Sequence, residues 1–297
     1  MALLWLFGAS VLAAAGAAGG VWKMAVKSQA PRHVPITAEP PYPYENVQFV
    51  GCMPLQGWFI RGKGRIDTER APTIIISHGW GSSRVRVLRY VTPLIEAGYH
   101  VLMYDVTSHG ASERIAAPSA FLFRDDLLAA VRYARSRADV DTARIGLLGH
   151  SMGGFGAVLG LHEGLNVQAI VTDSMPVRPF TMITAELKRR NIPLFPLANI
   201  LPRIWLWRAR IPVKSFIKID LARILTDNHN RKQQEQVPVL MVHSRQDDFI
   251  PASELETLMA KLPYKQSCLL VDADGHSCSE QDARFWETVL PFFQRHI

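Results

Sequence analysis

The residues best suited to chemistry lie around Ser151, in the sequence GHSMG of residues 149–153. The pattern G-x-S-x-G is typical of a sharp strand-to-helix turn that projects the serine hydroxyl and leaves no room for side chains two positions away. The apolar run Arg144 to Leu148 precedes it and predicts the strand. We therefore predict that Ser151 is a nucleophile. The alternative is an ordinary surface serine in a glycine-rich turn.

A serine nucleophile needs a general base, and the base needs a carboxylate to orient it. His276, in the sequence DADGHS just past the last predicted strand, is the expected base. Asp247 is the expected acid because it follows a buried strand at a distance that lets its side chain turn back towards the histidine. Asp248 and Asp173 remain alternatives. The chain order Ser, Asp, His is the one found in α/β-hydrolases.

Acyl transfer also requires hydrogen-bond donors for a developing oxyanion. One expected donor is the backbone N–H of Met152, directly after the nucleophile at a helix N-terminus. The other is the N–H of Trp80, in the sequence HGWGS of residues 78–82, whose glycines let the backbone approach a substrate. A plain glycine-rich turn is the alternative interpretation of that segment.

Strands and helices alternate from residue 46 onwards and predict an α/β fold with a mostly parallel sheet and helices on both faces. Ligand sites of such sheets lie at the carboxyl ends of the strands, where the candidate residues are found. The alternation stops over about 177–236, which is helical and rich in aromatic and basic residues, and we predict a lid insertion there. The predicted strands are 47–50, 57–60, 72–77, 100–105, 144–148, 169–172, 237–242 and 267–271.

The N-terminal residues suggest a membrane segment, because residues 2–22 carry no charge and would span about 30 Å as a helix. Lys23 and Lys27 follow, so a transmembrane helix here would place the catalytic domain in the cytoplasm. A cleaved signal peptide, with export of the domain, and a helix of the globular domain are the alternatives. The predicted organisation is a membrane anchor or signal segment (1–23), a Pro-rich linker (24–44) and a catalytic domain (45–297).

Composition excludes several classes of protein. The chain has 297 residues, of which 48% are hydrophobic and 20% charged, so it is neither disordered nor a coiled coil. Cys52, Cys268 and Cys278 lack the spacing of a zinc site or a disulfide framework. The formal charge of +7 would suit anionic partners, but no nucleic-acid-binding motif accompanies it, and a generally basic surface is the simpler interpretation.

From about residue 45 to residue 297 the chain resembles the α/β-hydrolase superfamily of serine hydrolases, particularly its esterases, lysophospholipases and serine-aminopeptidase-like members. Five segments carry the resemblance: SHGWGSS, YDVTSHGAS, LLGHSMGG, HSRQDDFIP and DADGHS. One departure is Val106-Thr107, where the superfamily often has Arg-Gly. The resemblance implies specific roles for five residues: Ser151 as nucleophile, His276 as base, Asp247 as acid, and Trp80 and Met152 as oxyanion donors.

We therefore expect a membrane-tethered serine hydrolase that cleaves a carboxylic ester through an acyl-enzyme intermediate, without a metal ion or cofactor. The expected partner is a small-molecule acyl substrate, with lipid-like esters as one candidate class, and no nucleic acid. A serine aminopeptidase or an acyltransferase on the same fold, and a non-catalytic membrane-tethered binding protein, are the alternatives.

Overall fold

The computed structural model describes residues 1–64, 70–178 and 180–297, and these residues form one eight-stranded sheet. Its strands are β1 (Tyr44–Val50), β2 (Pro54–Ile60), β3 (Ala71–Ser77), β4 (His100–Tyr104), β5 (Val140–His150), β6 (Ala169–Asp173), β7 (Val239–Gln246) and β8 (Ser267–Asp274). The spatial order is β1-β2-β4-β3-β5-β6-β7-β8. β2 runs antiparallel to both of its neighbours, and every other neighbouring pair is parallel. The predicted mostly parallel sheet is confirmed.

The described residues also form ten α-helices. These are α1 (Ala2–Gln29), α2 (Val91–Glu96), α3 (Phe121–Ser136), α4 (Met152–His162), α5 (Thr181–Arg189), α6 (Leu197–Arg208), α7 (Val213–Ile217), α8 (Leu221–His229), α9 (Ala252–Lys261) and α10 (Ala283–His296). Residues of α3, α4, α8 and α9 pack on one face of the sheet, and residues of α2 and α10 pack on the other. Helices on both faces are the arrangement that the sequence predicts.

The central strand β3 shows why the sheet is buried on both sides. All seven of its residues are buried. Successive side chains of a strand point to opposite faces, so Ile74 and Ile76 join the core beneath α2 and α10, while Ile75 joins the core beneath α3 and α4. Such a continuous apolar run is typical of a parallel strand covered by two helical layers.

One predicted helix differs in the structure. Residues 84–97 have helical spacing, but Arg84–Tyr90 forms a 3-10 helix and only Val91–Glu96 is α-helical. Pro93 explains the division, because a proline in the interior of an α-helix removes a hydrogen bond and clashes with the carbonyl four residues earlier, whereas the first turn tolerates it. The chain therefore begins a new α-helix just before Pro93.

The predicted lid region contains the helices α5, α6, α7 and α8. Buried residues of α5 and α6 form a small core of their own with α1, which includes Ile183, Leu187 and Leu201. By contrast, α8 contributes Leu221 and Leu225 to the core beneath α4. The part of the insertion that packs with α1 is thus formed by α5 and α6.

The N-terminal helix extends further than the sequence predicts. α1 continues through residues 24–29, which we assigned to the linker, and ends where Ala30 adopts an extended conformation. The residue before a proline is disfavoured in the α region, and Pro31 follows Ala30. The proline that starts the extended segment also sets the helix end.

The structure gives no support to the predicted transmembrane segment. Among the described residues, no helix has both the length and the apolar character needed to cross a membrane. Part of that prediction falls on the side chains of residues 2–4, 6, 8 and 9, which lie outside the described residues. The cytoplasmic location of the catalytic domain stays a prediction.

Candidate active site

Ser151 lies in a strained turn between β5 and α4. Its backbone has φ 52° and ψ −119°, a conformation that residues other than glycine seldom adopt. A Cβ at Gly153 would lie 2.2 Å from the carbonyl oxygen of Ser77, and a Cβ at Gly149 would lie 2.5 Å from the nitrogen of Gly154. Both glycines are therefore required for this turn, which is the one that the G-x-S-x-G pattern predicts.

The three residues predicted to act together form one hydrogen-bonded chain. His276 Nε2 lies 3.0 Å from Ser151 Oγ, and His276 Nδ1 lies 2.8 Å from Asp247 Oδ2. Because the carboxylate can only accept, Nδ1 carries the ring proton and Nε2 is free to accept the proton of the serine hydroxyl. Ser151 and Asp247 are buried, whereas the His276 side chain is partly exposed.

Hydrogen bonds at Asp247 keep it charged. Its Oδ1 accepts the backbone N–H groups of Phe249 and Ile250 at 2.9 and 2.8 Å, and its Oδ2 faces both His276 and His243. Burial raises the pKa of this carboxyl group, but the hydrogen bonds from His243, His276 and the Ile250 amide outweigh burial and lower the pKa below its ordinary value. Asp247 can therefore balance a positive charge on His276.

The two alternative acids lie elsewhere. Asp173 is buried beneath the hydroxyl of Tyr90, which donates a hydrogen bond to it, and its carboxylate is 3.9 Å from the Arg89 guanidinium. Asp248 borders the cavity next to His276, but among the described residues it forms no hydrogen bond with that histidine. Asp247 is thus the aspartate that contacts His276.

The turn after β3 approaches the nucleophile closely, since a Cβ at Gly79 would lie 2.9 Å from the Cβ of Ser151. Its neighbour His78 is buried, with Nδ1 2.7 Å from the carbonyl oxygen of Gly79 and Nε2 accepting the N–H of Val106 at 3.1 Å. Burial lowers the pKa of His78 to about 4, so the ring is neutral near pH 7. The turn is therefore fixed by a neutral histidine.

The two predicted oxyanion donors border the same cavity. Trp80 follows Gly79 in that turn, and Met152 is the first residue of α4. Neither N–H has an acceptor within the described part of the chain, which for Met152 is expected of the first amide of a helix. Both amides are available to a ligand atom near Ser151.

Sequence reasoning missed the ion pair that supports this turn. Asp105 is fully buried and accepts hydrogen bonds from the Arg84 amide at 2.7 Å, the Arg84 guanidinium at 2.8 Å and the Ala111 amide at 2.9 Å. It thereby connects the segment that follows the turn after β3 to the loop after β4. The position of Asp105 at the end of a buried strand was the available signal.

His243 was also missed as part of the site. Its Nε2 lies 3.3 Å from Asp247 Oδ2 and 2.7 Å from the carbonyl oxygen of Ile250. Burial lowers the pKa of His243, but its hydrogen bonds with Asp247 and the Ile250 carbonyl, together with the nearby carboxylates, outweigh burial, and the net shift is upward. His243 therefore helps to position the carboxylate that orients His276.

His150 packs beside the candidate base. The two imidazole rings lie 5.0 Å apart, and His150 Nε2 is 3.1 Å from the hydroxyl oxygen of Ser277. Burial lowers the pKa of His150 well below its ordinary value. A neutral His150 adds no positive charge that would oppose protonation of His276.

A cavity of about 1180 Å³ opens beside the three residues. Its wall includes His276, Trp80 and Met152 from the sheet edge, together with residues of α1, α5 and α6. No group of three or more histidine, cysteine, aspartate or glutamate side chains in the described ranges could hold a metal ion.

Comparison with known proteins supports the fold. The sequence profile of the family described as serine aminopeptidase, S33 (Hydrolase_4), matches residues 68–210. An esterase of Pyrococcus furiosus, Pf2001, superposes with a TM-score of 0.68 and 21% identity, over 90% of this chain and 97% of that one. The chain has the α/β-hydrolase fold. The profile match and the similar structures indicate an α/β-hydrolase enzyme, and the fold predicted from the motifs is confirmed.

A further solved structure and two uncharacterised proteins are similar over comparable lengths. Est1E of Butyrivibrio proteoclasticus, in its structure with ferulic acid, has a TM-score of 0.61 and 20% identity over 84% of this chain and 98% of that one. YqkD of Bacillus subtilis is 27% identical over 75% of this chain and 70% of its own length. YfhR of Escherichia coli K12 is 26% identical over 79% of this chain and 74% of its own length.

Proposed function

We propose that this α/β-hydrolase cleaves carboxylic esters through an acyl-enzyme intermediate on Ser151. The observation that supports the proposal most directly is the continuous chain of hydrogen bonds from Ser151 Oγ through His276 to Asp247. A serine hydroxyl becomes an effective nucleophile when a base next to it accepts its proton, and the base is effective when a third group orients it. All three requirements have a candidate here.

In the proposed reaction, His276 Nε2 removes the hydroxyl proton as Ser151 Oγ attacks the ester carbonyl carbon. The carbonyl oxygen becomes an oxyanion that accepts hydrogen bonds from the N–H groups of Trp80 and Met152. The intermediate collapses when His276 returns the proton to the departing alcohol. A water molecule, deprotonated by the same nitrogen, then attacks the acyl-enzyme, and His276 returns that proton to Ser151 Oγ as the bond to the acyl group breaks and the acid leaves. Asp247 balances the charge on the imidazolium in both halves of the reaction.

The lining of the cavity favours an ester with a large apolar part. Six apolar side chains from four different parts of the chain border it: Met24, Trp80, Phe155, Phe180, Leu206 and Phe216. Pockets that bind small molecules are mostly apolar, with a few polar groups that fix the orientation of the ligand. We therefore propose amphiphilic or lipid-like esters as the substrate class.

A serine aminopeptidase is the second candidate, because the matching sequence profile carries that description. An aminopeptidase needs an acidic group for the substrate's ammonium, and two of the three acids of the cavity are already engaged, while the third, Asp248, lies next to His276. Glu254 accepts hydrogen bonds from the amides of Val177 and Arg178 and the hydroxyl of Thr181. Glu186 forms ion pairs with arginines of its own helix end. Ester hydrolysis is the better supported of the two.

The two candidates are separated by substrate. The purified full-length chain is assayed against p-nitrophenyl esters of two to sixteen carbons and against alanine and leucine p-nitroanilides. Ser151→Ala is the blank, and Ser119→Ala, which changes a serine elsewhere on the cavity wall, is the matched control. We expect ester turnover that is lost in Ser151→Ala and retained in Ser119→Ala. Turnover of the anilides alone would favour the peptidase.

A further inference from the structure

The last two turns of α1 are packed against the lid rather than exposed. Ala25 is fully buried and packs with Ile183 and Leu187 of α5 and with Leu201 of α6. The indole N–H of Trp205, also in α6, donates a hydrogen bond of 2.8 Å to the carbonyl oxygen of Ala25. This end of the N-terminal helix therefore belongs to the folded catalytic domain.

Gln29 anchors the end of α1 through a side-chain amide whose nitrogen and oxygen are both hydrogen-bonded. It is 1% exposed, and its Nε2 donates to the carbonyl oxygens of Pro118 at 3.1 Å and Trp205 at 3.0 Å. Its Oε1 accepts a hydrogen bond from Arg208, which also donates to the Ala116 carbonyl at 2.8 Å. One buried amide thus joins α1 to the lid and to the loop that precedes α3. Leaving such buried groups unpaired is costly, so the arrangement is held firmly.

Because of this attachment, α1 forms part of the wall of the cavity at the candidate active site. Met24, Lys27 and Ser28 border the same space as Trp80 and His276. At about 1180 Å³ this space is somewhat larger than ordinary small-molecule pockets, which hold roughly 300–1,000 Å³. A ligand that extends from Ser151 through the cavity would meet the N-terminal helix.

The charge on the wall of this cavity is mostly positive. Lys27 and Lys188 border it and have no acidic partner within the described part of the chain. Two of the three acidic side chains, Glu186 and Glu254, are already paired with arginines or with amide and hydroxyl donors. An anionic group on a ligand would therefore find uncompensated cations at the end of the cavity formed by α1 and α5.

We propose that the last two turns of α1 are part of the substrate site and select an anionic amphiphile. Met24 contacts the apolar chain of the ligand, and Lys27 pairs with its negatively charged group. The proposal rests on the proposed function in that it names the substrate class of the same site, an ester with a long apolar chain and an anionic group. The N-terminal segment then determines specificity as well as packing.

The test measures binding without turnover, by calorimetric titration of dodecanoate into the full-length Ser151→Ala protein. Met24→Trp adds bulk to the cavity wall, and we expect dodecanoate to bind at least tenfold more weakly. Lys27→Glu reverses a partly solvated charge, and we expect about fivefold weaker binding at low ionic strength, with a smaller effect at 0.5 M salt because exposed charges are screened.

Lys23 offers matched controls, since it lies on the same helix, is exposed and does not border the cavity. Lys23→Trp and Lys23→Glu should bind dodecanoate as the parent does. Equal affinity in all four variants would overturn the proposal, and so would an absence of dodecanoate binding to the parent. If esters are not hydrolysed but binding follows the expected pattern, ester cleavage fails while the role of α1 stands.

Discussion

Replacing Asp247 by asparagine tests the hydrogen-bonded chain without changing the size of the side chain. In the carboxylate, Oδ1 accepts the N–H groups of Phe249 and Ile250, and Oδ2 lies 2.8 Å from His276 Nδ1. An asparagine has only one oxygen, and the two backbone donors hold it at the Oδ1 position. The NH₂ group then faces His276 and donates to Nδ1, so the ring proton moves to Nε2. That nitrogen can no longer accept a proton from Ser151.

The wrong tautomer should lower kcat/KM by about 10⁴, which corresponds to about 5 kcal/mol of transition-state stabilisation. The assay is the hydrolysis of p-nitrophenyl butyrate at pH 7.5 by the full-length chain, with the residual rate of Ser151→Ala subtracted. Circular dichroism and the urea unfolding midpoint show whether the variant is folded.

Asp248→Asn separates the two neighbouring aspartates, because Asp248 borders the cavity without a hydrogen bond to His276 among the described residues. We expect it to reduce kcat/KM less than tenfold. A loss of less than tenfold in Asp247→Asn would refute the reasoning. An equal loss in Asp248→Asn would show that the assignment of Asp247 as the orienting acid is wrong.

Three further predictions concern the free energy of unfolding, and one of them also concerns activity. Burial lowers the pKa of His78 to about 4 and that of His109 to about 3, so between pH 7 and pH 5 only the unfolded chain binds these protons. Each should reduce the free energy of unfolding by about 2 kcal/mol over that range, so the drop measured by urea titration should be about 2 kcal/mol smaller in His109→Gln than in the parent. Gly153→Ala places a Cβ 2.2 Å from a backbone oxygen of β3, and it should lower ester hydrolysis more than 100-fold, with a loss of about 2–3 kcal/mol in urea unfolding. Asp105→Ala leaves the Arg84 guanidinium buried without its partner and should cost about 3–5 kcal/mol in the same assay, whereas a loss below 1 kcal/mol would show that the pair does not support the fold.

Much of the fold could be predicted because apolar periodicity is a local signal and parallel sheets follow general rules of topology. The apolar runs at the positions of all eight strands are visible in the sequence, and parallel strands place their carboxyl ends at one edge of the sheet. Ser151, Asp247 and His276 each follow such a strand, so their proximity could be expected before any distance was known. The strained turn at Ser151 could be expected as well, because a side chain at Gly149 or Gly153 would clash with neighbouring backbone atoms.

The contacts that support the site could not be predicted in the same way. Arg84 and Asp105 are 21 residues apart, and Gln29 and Arg208 are 179 residues apart, so no periodic pattern links the partners. Their pairing depends on how loops and the lid pack after the sheet has formed. The uncharged residues 2–22 predicted a membrane segment, yet the helix that contains them continues to Gln29, and its last two turns pack against α6 through contacts that hydropathy does not encode.

The most direct test of the central claim is to trap the acyl-enzyme. The full-length chain is mixed with p-nitrophenyl octanoate, quenched with acid within milliseconds, and digested for mass spectrometry. The account predicts an octanoyl group on the peptide that contains Ser151, and no acylated peptide in Ser151→Ala. Hydrolysis of the ester without acylation of Ser151, or acylation of a different residue, would contradict it.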